Sequence, residues 1–320
     1  MAWIIGIDEA GYGPNLGPFV MTSVACRAPD HCHDANLWHL LRPVVRQGCD
    51  ADEGQLFLDD SKRVYTARGL AGLERGILAA LWREGIPGPV SLASFIEWVC
   101  PDGRDELRRE IWYRGVQTLP VHAVPGDLGP WAARFEEVCA AANVGPWHVR
   151  SVVVCPSRFN ALLEEGGKKG IVLAHALTYL LRWQHANLPG EDALSFFIDK
   201  HGGRNAYAPM LQHAFEDGMV LAHEEGRERS VYRVAGARRP VELTIQPRAD
   251  AEHFCVALAS MVSKYLRELL MREFNQFWQG HVPGLKATAG YPGDAARFFD
   301  AIRPAAQQLG IAESALWRRK

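Results

Sequence analysis

Four carboxylates stand where an apolar run gives way to a turn or a helix. Asp8 and Glu9 close the run Trp3–Ile7 just before the turn GYGPNLGP; Asp199 closes Ser195–Ile198 ahead of Gly202-Gly203; Asp250 opens a long, apolar-striped helix. An acid at the end of a buried strand, with glycine freeing the backbone that follows, is placed to face a cleft. Each position also has an ordinary reading. Asp at a helix start is a cap, and Asp before a glycine pair is a turn residue. Gathered at one edge of a mixed sheet, the four would repel one another, so the group needs cations or protons to persist. Oxygen donors with few histidines favour Mg2+ or Mn2+ over zinc. Two such ions, about 4 Å apart, suit in-line attack of water on a phosphodiester. The acids alone therefore point to metal-dependent phosphoryl transfer and leave the substrate open.

The elements that must position these acids are legible as hydrophobic patterns. Trp3–Ile7 and Phe19–Cys26 read as two strands around a glycine loop, and WHVRSVVVCP, Ser195–Ile198, Ser230–Val234 and Val241–Ile245 as further strands. Leu70, Leu73, Ile77, Leu78 and Leu81 recur at helical spacing after DDSK, and Ile171–Trp183 is a strongly apolar helix. In the long helix after Asp250, Phe254, Leu258, Met261, Val262, Tyr265, Leu266 and Leu269 form one stripe, with Lys264, Arg267 and Glu268 largely off it. Residues 86–150, rich in Pro, Gly and Trp, carry two short helical patches and the weakest signal.

Composition narrows the function. With 320 residues, 48% hydrophobic and 22% charged at net charge −2, the chain is neither disordered nor a protein that coats nucleic acid indiscriminately. No run approaches the roughly 18 uncharged apolar residues needed to span a bilayer. Asp8 and Glu9 interrupt what would be the apolar region of a signal peptide, so a cytoplasmic protein without a membrane partner is expected. The seven cysteines form no C-x-x-C pair, and most sit in apolar surroundings and read as buried free thiols. His31 and His33 flank Cys32, a minor candidate for a metal site. The basic end WRRK at 317–320 reads as a solvated tail, with contact to nucleic acid or a partner as the alternative.

Several segments, in the same order, resemble one family, the type 2 ribonucleases H. GIDEAGYGPNLGPFV is similar to the family's DEAG-x-GP signature and DDSK at 59–62 to its DSK element; FFIDKHGG resembles the strand that carries the third acid. RADAEHFCVALASMVSKYLRELLM at 248–271 resembles the pattern K-A-D followed by A-A-S-x-x-A-K-x-x-R-D, and AGYPGD at 289–294 the late G-Y-P element. GPNLGP, YAPMLQHAF and Asp294 after GYP lean toward the catalytic subunit of the eukaryotic-type enzyme. No additional N-terminal domain is expected, since the first motif begins at Gly6.

The resemblance implies an RNase H-like α/β core: a mixed five-stranded sheet flanked by helices, with an insertion and a helical C-terminal segment. The catalytic domain would be split into 1–85 and 151–280 around a subregion at 86–150, with 281–320 bearing a substrate-contact loop. It implies a catalytic, metal-binding tetrad of Asp8, Glu9, Asp199 and Asp250, in which Asp8 and Asp199 hold both of two Mg2+ or Mn2+ ions and Glu9 and Asp250 complete one site each. Gly11-Tyr12-Gly13 would sense a ribose 2′-OH through its backbone, the group that separates RNA from DNA. Tyr291 would stack at the RNA–DNA junction, while Lys62, Arg248 and Lys264 would contact phosphates. A merely solvated Lys264 and a half-core Tyr291 are the plain readings.

The implied activity is an endoribonuclease. It cuts the RNA strand of RNA–DNA hybrids and ribonucleotides embedded in duplex DNA, leaving 5′-phosphate and 3′-hydroxyl ends. A monomer is expected, with partner subunits left open. Departures fall on recognition: Tyr12 replaces a usual Arg or Lys, Gly293 a frequent Thr, Ala289 an often basic residue and Arg248 a Lys, while Ser263 and Glu268 replace the common Ala and Asp. Two rivals remain at this level: a structure-specific DNA nuclease on the same scaffold, and a binding protein without turnover that uses the 86–150 region.

Overall fold

The computed structural model describes residues 1–30, 34–48, 54–81, 90–123 and 125–319. His31, Cys32 and His33 lie outside the described residues. The strands, numbered along the chain, are β1 (Ala2–Ala10), β2 (Phe19–Ala28), the short β3 (Val45–Arg46), β4 (Leu56–Phe57), β5 (Val90–Ser91) and β6 (Thr118–Leu119), then β7 (Trp147–Val154), β8 (Ala193–Asp199), β9 (Met219–Glu225), β10 (Ser230–Ala235) and β11 (Val241–Gln246). The helices are α1 (Asp34–Leu40), α2 (Ser61–Leu81), α3 (Leu92–Val99), α4 (Arg104–Arg109), α5 (Pro125–Ala141), α6 (Pro156–Gly166), α7 (Gly170–Asn187), α8 (Ala208–Ala214), α9 (Ala249–Glu252), α10 (Phe254–His281) and α11 (Pro292–Gln308).

The main sheet runs β7-β2-β1-β8-β11-β10-β9. At its centre β1, β8 and β11 are parallel. Each outer strand pairs antiparallel with its inner neighbour. This is the mixed α/β sheet flanked by helices that the sequence led us to expect, with seven strands instead of five. The β9–β10 hairpin extends the sheet past β11, and β9 escaped the sequence reading for a physical reason. As an edge strand it buries neither face, with Met219 62% and Leu221 41% exposed, so it shows no period-two pattern.

Alternation along β1 feeds two cores. Trp3, Ile5 and Ile7 pack with Val172, Ala176, Leu177, Leu180 and Leu181 of α7 on one face. Ile4 packs with the α10 stripe on the other, where all seven stripe residues are buried. α10 crosses β1 with no room for a side chain at Gly6: a Cβ there would overlap the main chain of Cys255 and Val256. Cys26, Cys100, Cys139, Cys155 and Cys255 are buried.

Two expectations need correction. Asp250 does not open the long helix; it lies in the one-turn α9, which His253 separates from α10 with extended backbone (φ −110°, ψ 122°). The His253 ring stacks on Phe197 at 4.2 Å, which holds the break against the sheet. Residues 90–141 carry α3, α4 and α5 where two patches were read. Leu92, Phe95, Trp112 and Phe135 join the α10 core, with Phe95 5.7 Å from Tyr265 and Trp112 5.5 Å from Phe274. Among the described residues no helix is long and apolar enough to cross a membrane.

Candidate active site

The parallel strands bring the acids to one edge. β1 and β8 run in register through Ile7 opposite Ile198, so the next residues, Asp8 and Asp199, emerge side by side at the carboxyl ends. On the far flank Gln246 of β11 lies opposite Asp199. The chain then turns through Arg248, in left-handed backbone (φ 57°), into α9 and Asp250. The Ala249 amide donates to Asp199 Oδ1 (2.9 Å), pinning the head of α9 to the end of β8. The carboxyl edge of parallel strands is where α/β sheets place their ligands.

Asp8 is clasped from α10. Ser263 Oγ donates to its main-chain oxygen (3.1 Å) and bonds Thr22 Oγ1 (2.8 Å), and Ser260 bonds its carboxylate. Ser263, a mild departure at the level of sequence, thus fixes the strand end beneath the site.

Burial raises the proton affinity of all four acids, and repulsion from neighbouring acids adds to it at Asp8, Glu9 and Asp250. Asp8, 6% exposed, is pushed well above the usual carboxylate range by burial first, then by Glu9, Asp199 and Asp250. Glu9 rises from 4.5 to about 7 through burial and Asp199. Asp250 rises to about 6 through burial, then Asp60 and Asp199. Asp199 rises through burial, moderated by the Ala249 and Lys200 amides and by Lys62. Asp8, Glu9 and Asp250 thus each feel the Asp199 charge. Among the described residues no three His, Cys, Asp or Glu side chains are gathered tightly enough to grip one ion. The donor set still fits a hard divalent cation: it is all oxygen, its proton affinities are raised, and Glu9 Oε2 is buried with no hydrogen-bond partner among the described residues.

Lys62, at the start of α2, is the cation felt by Glu9, Asp199 and Asp250 alike. The two aspartates before it divide their work. Asp59, 1% exposed, accepts from the Gly48 and Asp60 amides (3.0 and 2.7 Å) and is structural. Asp60 accepts from the Lys62 amide (2.8 Å) and acts on Asp250. Sequence reasoning missed Asp60, although the doubled acid of DDSK was its signal. It also passed over His201, two residues beyond Asp199, which is 6% exposed with neither ring nitrogen hydrogen-bonded among the described residues.

The glycine loop lies beside the acids. Gly11 adopts φ 84°, and a Cβ on it would overlap the Arg267 side chain and come within 2.8 Å of the Pro18 oxygen. Packing behind the loop thus already demands glycine at this position. Gly13 faces outward toward Tyr291, whose Cε1 would lie 3.8 Å from a Cβ at Gly13. Tyr291 is 48% exposed, with the Arg267 guanidinium 5.8 Å from its ring centre. Over the Tyr12 ring, at 4.7 Å, sits the Lys169 ammonium from the head of α7. A cation therefore stands at the loop even though residue 12 has none.

Within WRRK, Trp317 and Arg318 are packed against the fold and not solvated, while Arg319 is exposed and Lys320 lies outside the described residues. Leu16 forms a β-bridge with Trp317, and the Arg318 amide donates to Asn15 O (2.8 Å) while Asn15 Nδ2 donates to Arg318 O (3.3 Å). Arg318 is 1% exposed. Its burial depends on partners some 300 positions earlier, which no local pattern reveals. Arg248 lies exposed at the turn into α9. Lys264 is paired with Glu268 (2.6 Å) and stands over the Tyr65 ring (4.5 Å).

No family model matches the chain, and no curated protein matches it. Its neighbours among solved structures are ribonucleases H2, HII and HIII. Ribonuclease H2 from Pyrococcus horikoshii OT3 is 13% identical at TM-score 0.44, over 98% of this chain and 92% of that one. RNase HII in the PCNA:RNase HII complex from Archaeoglobus fulgidus is 14% identical at TM-score 0.41, over 99% and 94%. Bst-RNase HIII in complex with Mn2+ is 15% identical at TM-score 0.39, over 99% and 66%. The functional reading that follows stands on the chain's own residues.

Proposed function

We propose that this chain is a divalent-metal-dependent endoribonuclease of the type 2 RNase H kind, acting on RNA–DNA hybrids and on ribonucleotides within duplex DNA. One observation carries the proposal: four acids from three separate parts of the chain meet at the carboxyl edge of β1, β8 and β11, all with proton affinity raised by burial and three of them raised further by Asp199. Burying that much like charge without a cationic ligand to receive would only destabilise the fold. Asp8, Glu9, Asp199 and Asp250 would hold Mg2+ or Mn2+. Bound there, the metals supply a lowered pKa for water and charge neutralisation at the leaving oxygen. Water then adds to phosphorus in line and the bond to the 3′ oxygen breaks, giving 5′-phosphate and 3′-hydroxyl ends.

The remaining groups bind and orient. Gly11–Gly13 presents backbone to the sugar, Tyr291 offers an exposed ring for stacking, and Lys62, Arg248 and Lys169 offer cations to phosphates. Lys264 can contribute only by sharing its charge with Glu268. Paired duplexes that differ by a single 2′-OH, titrated with Mn2+ and analysed for product ends, test the proposal. Cleavage 5′ of the ribonucleotide is expected; equal cutting of the all-DNA duplex would instead identify a DNA nuclease, and binding without cutting would identify a non-catalytic binder.

Two further outcomes follow from the site. An acid whose pKa rises on folding holds its proton more tightly in the folded than in the unfolded chain. Glu9 (4.5 to about 7) and Asp250 (3.8 to about 6) therefore make stability fall as pH rises from about 4 to 7. A divalent cation removes that penalty, so Mn2+ should raise the thermal midpoint at pH 8 far more than at pH 5.5, with protons released on binding. Equal gains at both pH values would show that the ion binds elsewhere. Lys169→Ala should weaken hybrid binding by about tenfold at low salt and reduce the salt dependence by about one ion. An unchanged salt slope would remove Lys169 from the phosphate contacts.

A further inference from the structure

Two arginine side chains, each only 1% exposed, lie side by side behind the glycine loop. Arg267, on α10, donates to Ala289 O (2.8 Å) in the segment that carries Tyr291. Arg318 donates from Nη1 to Gly11 O (2.8 Å) and lies 4.9 Å from the centre of the Phe159 ring. The two segments are stitched directly as well, since the Asn15 and Leu16 amides both donate to Gly290 O. Burial holds both guanidiniums below their usual proton affinity, and the Arg267 charge adds to it at Arg318, which comes down to about 9. The nearest counter-charge, Glu268, lies 3.6 Å from Arg267 and is shared with Lys264. Arg318 Nε and Nη2 and Arg267 Nε find no partner among the described residues. For fastening the chain end this is an expensive arrangement, because the main-chain bonds between Arg318 and Asn15 already do that.

The peptide plane shows what the side chain adds. In a trans peptide the carbonyl oxygen and the following N–H point in opposite directions. A guanidinium that holds Gly11 O inward therefore turns the Tyr12 N–H away from the arginines, toward the cleft shared with Gly13 and Tyr291. A positive charge on that oxygen also polarises the peptide and strengthens the N–H as a donor. We infer that Arg318, acting with Arg267, aims the Tyr12 amide and sets its spacing from Tyr291, and thereby determines how strongly the chain prefers a ribonucleotide to a deoxyribonucleotide. The preference for a 2′-OH rests on the nuclease reading above; the aiming of the loop does not. Both arginines are positioning residues and touch no reacting atom.

Arg318→Ala in the full chain, with Arg318→Lys and Arg318→Gln beside it, tests this by two independent readouts. Amide hydrogen exchange over 11–16 and 289–291 reports the loop, and the ratio of kcat/KM for duplexes with and without one 2′-OH reports selectivity. Arg318→Ala should speed exchange in both segments and lower the selectivity ratio by at least about tenfold, since misplacement by an ångström can cost about a hundredfold. Mn2+ affinity should stay as in the parent chain. Lys should recover part of both effects, because it keeps the charge and one donor but loses the fork; Gln, without charge, should recover less. If Arg318→Ala does not fold, the Lys and Gln variants decide by the same order. Unchanged exchange in every folded variant overturns the inference. So does a uniform loss of activity that leaves the selectivity ratio untouched. Looser segments in a chain that cuts neither duplex would instead sink the nuclease reading and leave the aiming role standing.

Discussion

Asp199→Asn should lose cleavage by at least about a thousandfold, roughly 4 kcal/mol of transition-state stabilisation, while the folded chain becomes more stable at neutral pH. The two effects have one origin. Burial raises the proton affinity of the Asp199 carboxylate, so its charged form is the one the fold disfavours. Asn keeps an oxygen to accept from the Ala249 amide, so the tie between β8 and α9 survives. What disappears is an anion that would help to hold the cations. Single-turnover cleavage in saturating Mn2+, run beside thermal melts in EDTA, measures both signs. Activity within tenfold of the parent would remove Asp199 from the metal site. A lowered melting midpoint would show that its charge is compensated in the fold rather than reserved for a ligand.

Gly6→Ala should be the most damaging small substitution in the sheet, at about 3 kcal/mol or more. A methyl at Gly6 would meet main-chain atoms of Cys255 and Val256, which cannot rotate aside, so α10 must shift as a unit. That helix carries Ser260 and Ser263, which clasp Asp8, and the shift would loosen the site along with the core. Gly280→Ala is the control. It lies near the other end of α10 with open space around it, and helix propensity favours alanine by up to about 1 kcal/mol. Urea denaturation of the pair gives the comparison, and similar midpoints would contradict the close crossing of α10 over β1.

The acids and the central strands were legible because both follow from burial patterns within short windows. β1, β2 and α7 are apolar runs of the right period, and Asp8 and Asp199 each end one. Features set by distant partners were not legible. β9 buries no face and left no pattern. The break at His253 depends on Phe197, some 56 positions away. Asp59 and Asp60 are neighbours of the same type, and only the Gly48 amide on one side and Asp250 on the other separate their roles. Arg318 looked like any basic residue near a chain end because Gly11, Asn15 and Phe159 give no local sign that they will enclose it. Tyr12 marked an altered recognition surface, but that Lys169 would stand over its ring needed the structure.

The order of the parallel strands also bears on how the molecule is made. β1 can pair with β2 as soon as the hairpin has been synthesised, yet its other neighbour begins opposite Ala2 only at Ala193. Until then one flank of an apolar strand has no mate, and closing so long a loop delays the reward of pairing. Refolding should accordingly be slow, with the β1–β2 edge open to aggregation and to capture by chaperones. The negatively charged rim assembles only when β8 docks, so compact species short of that step should already be helical yet blind to manganese.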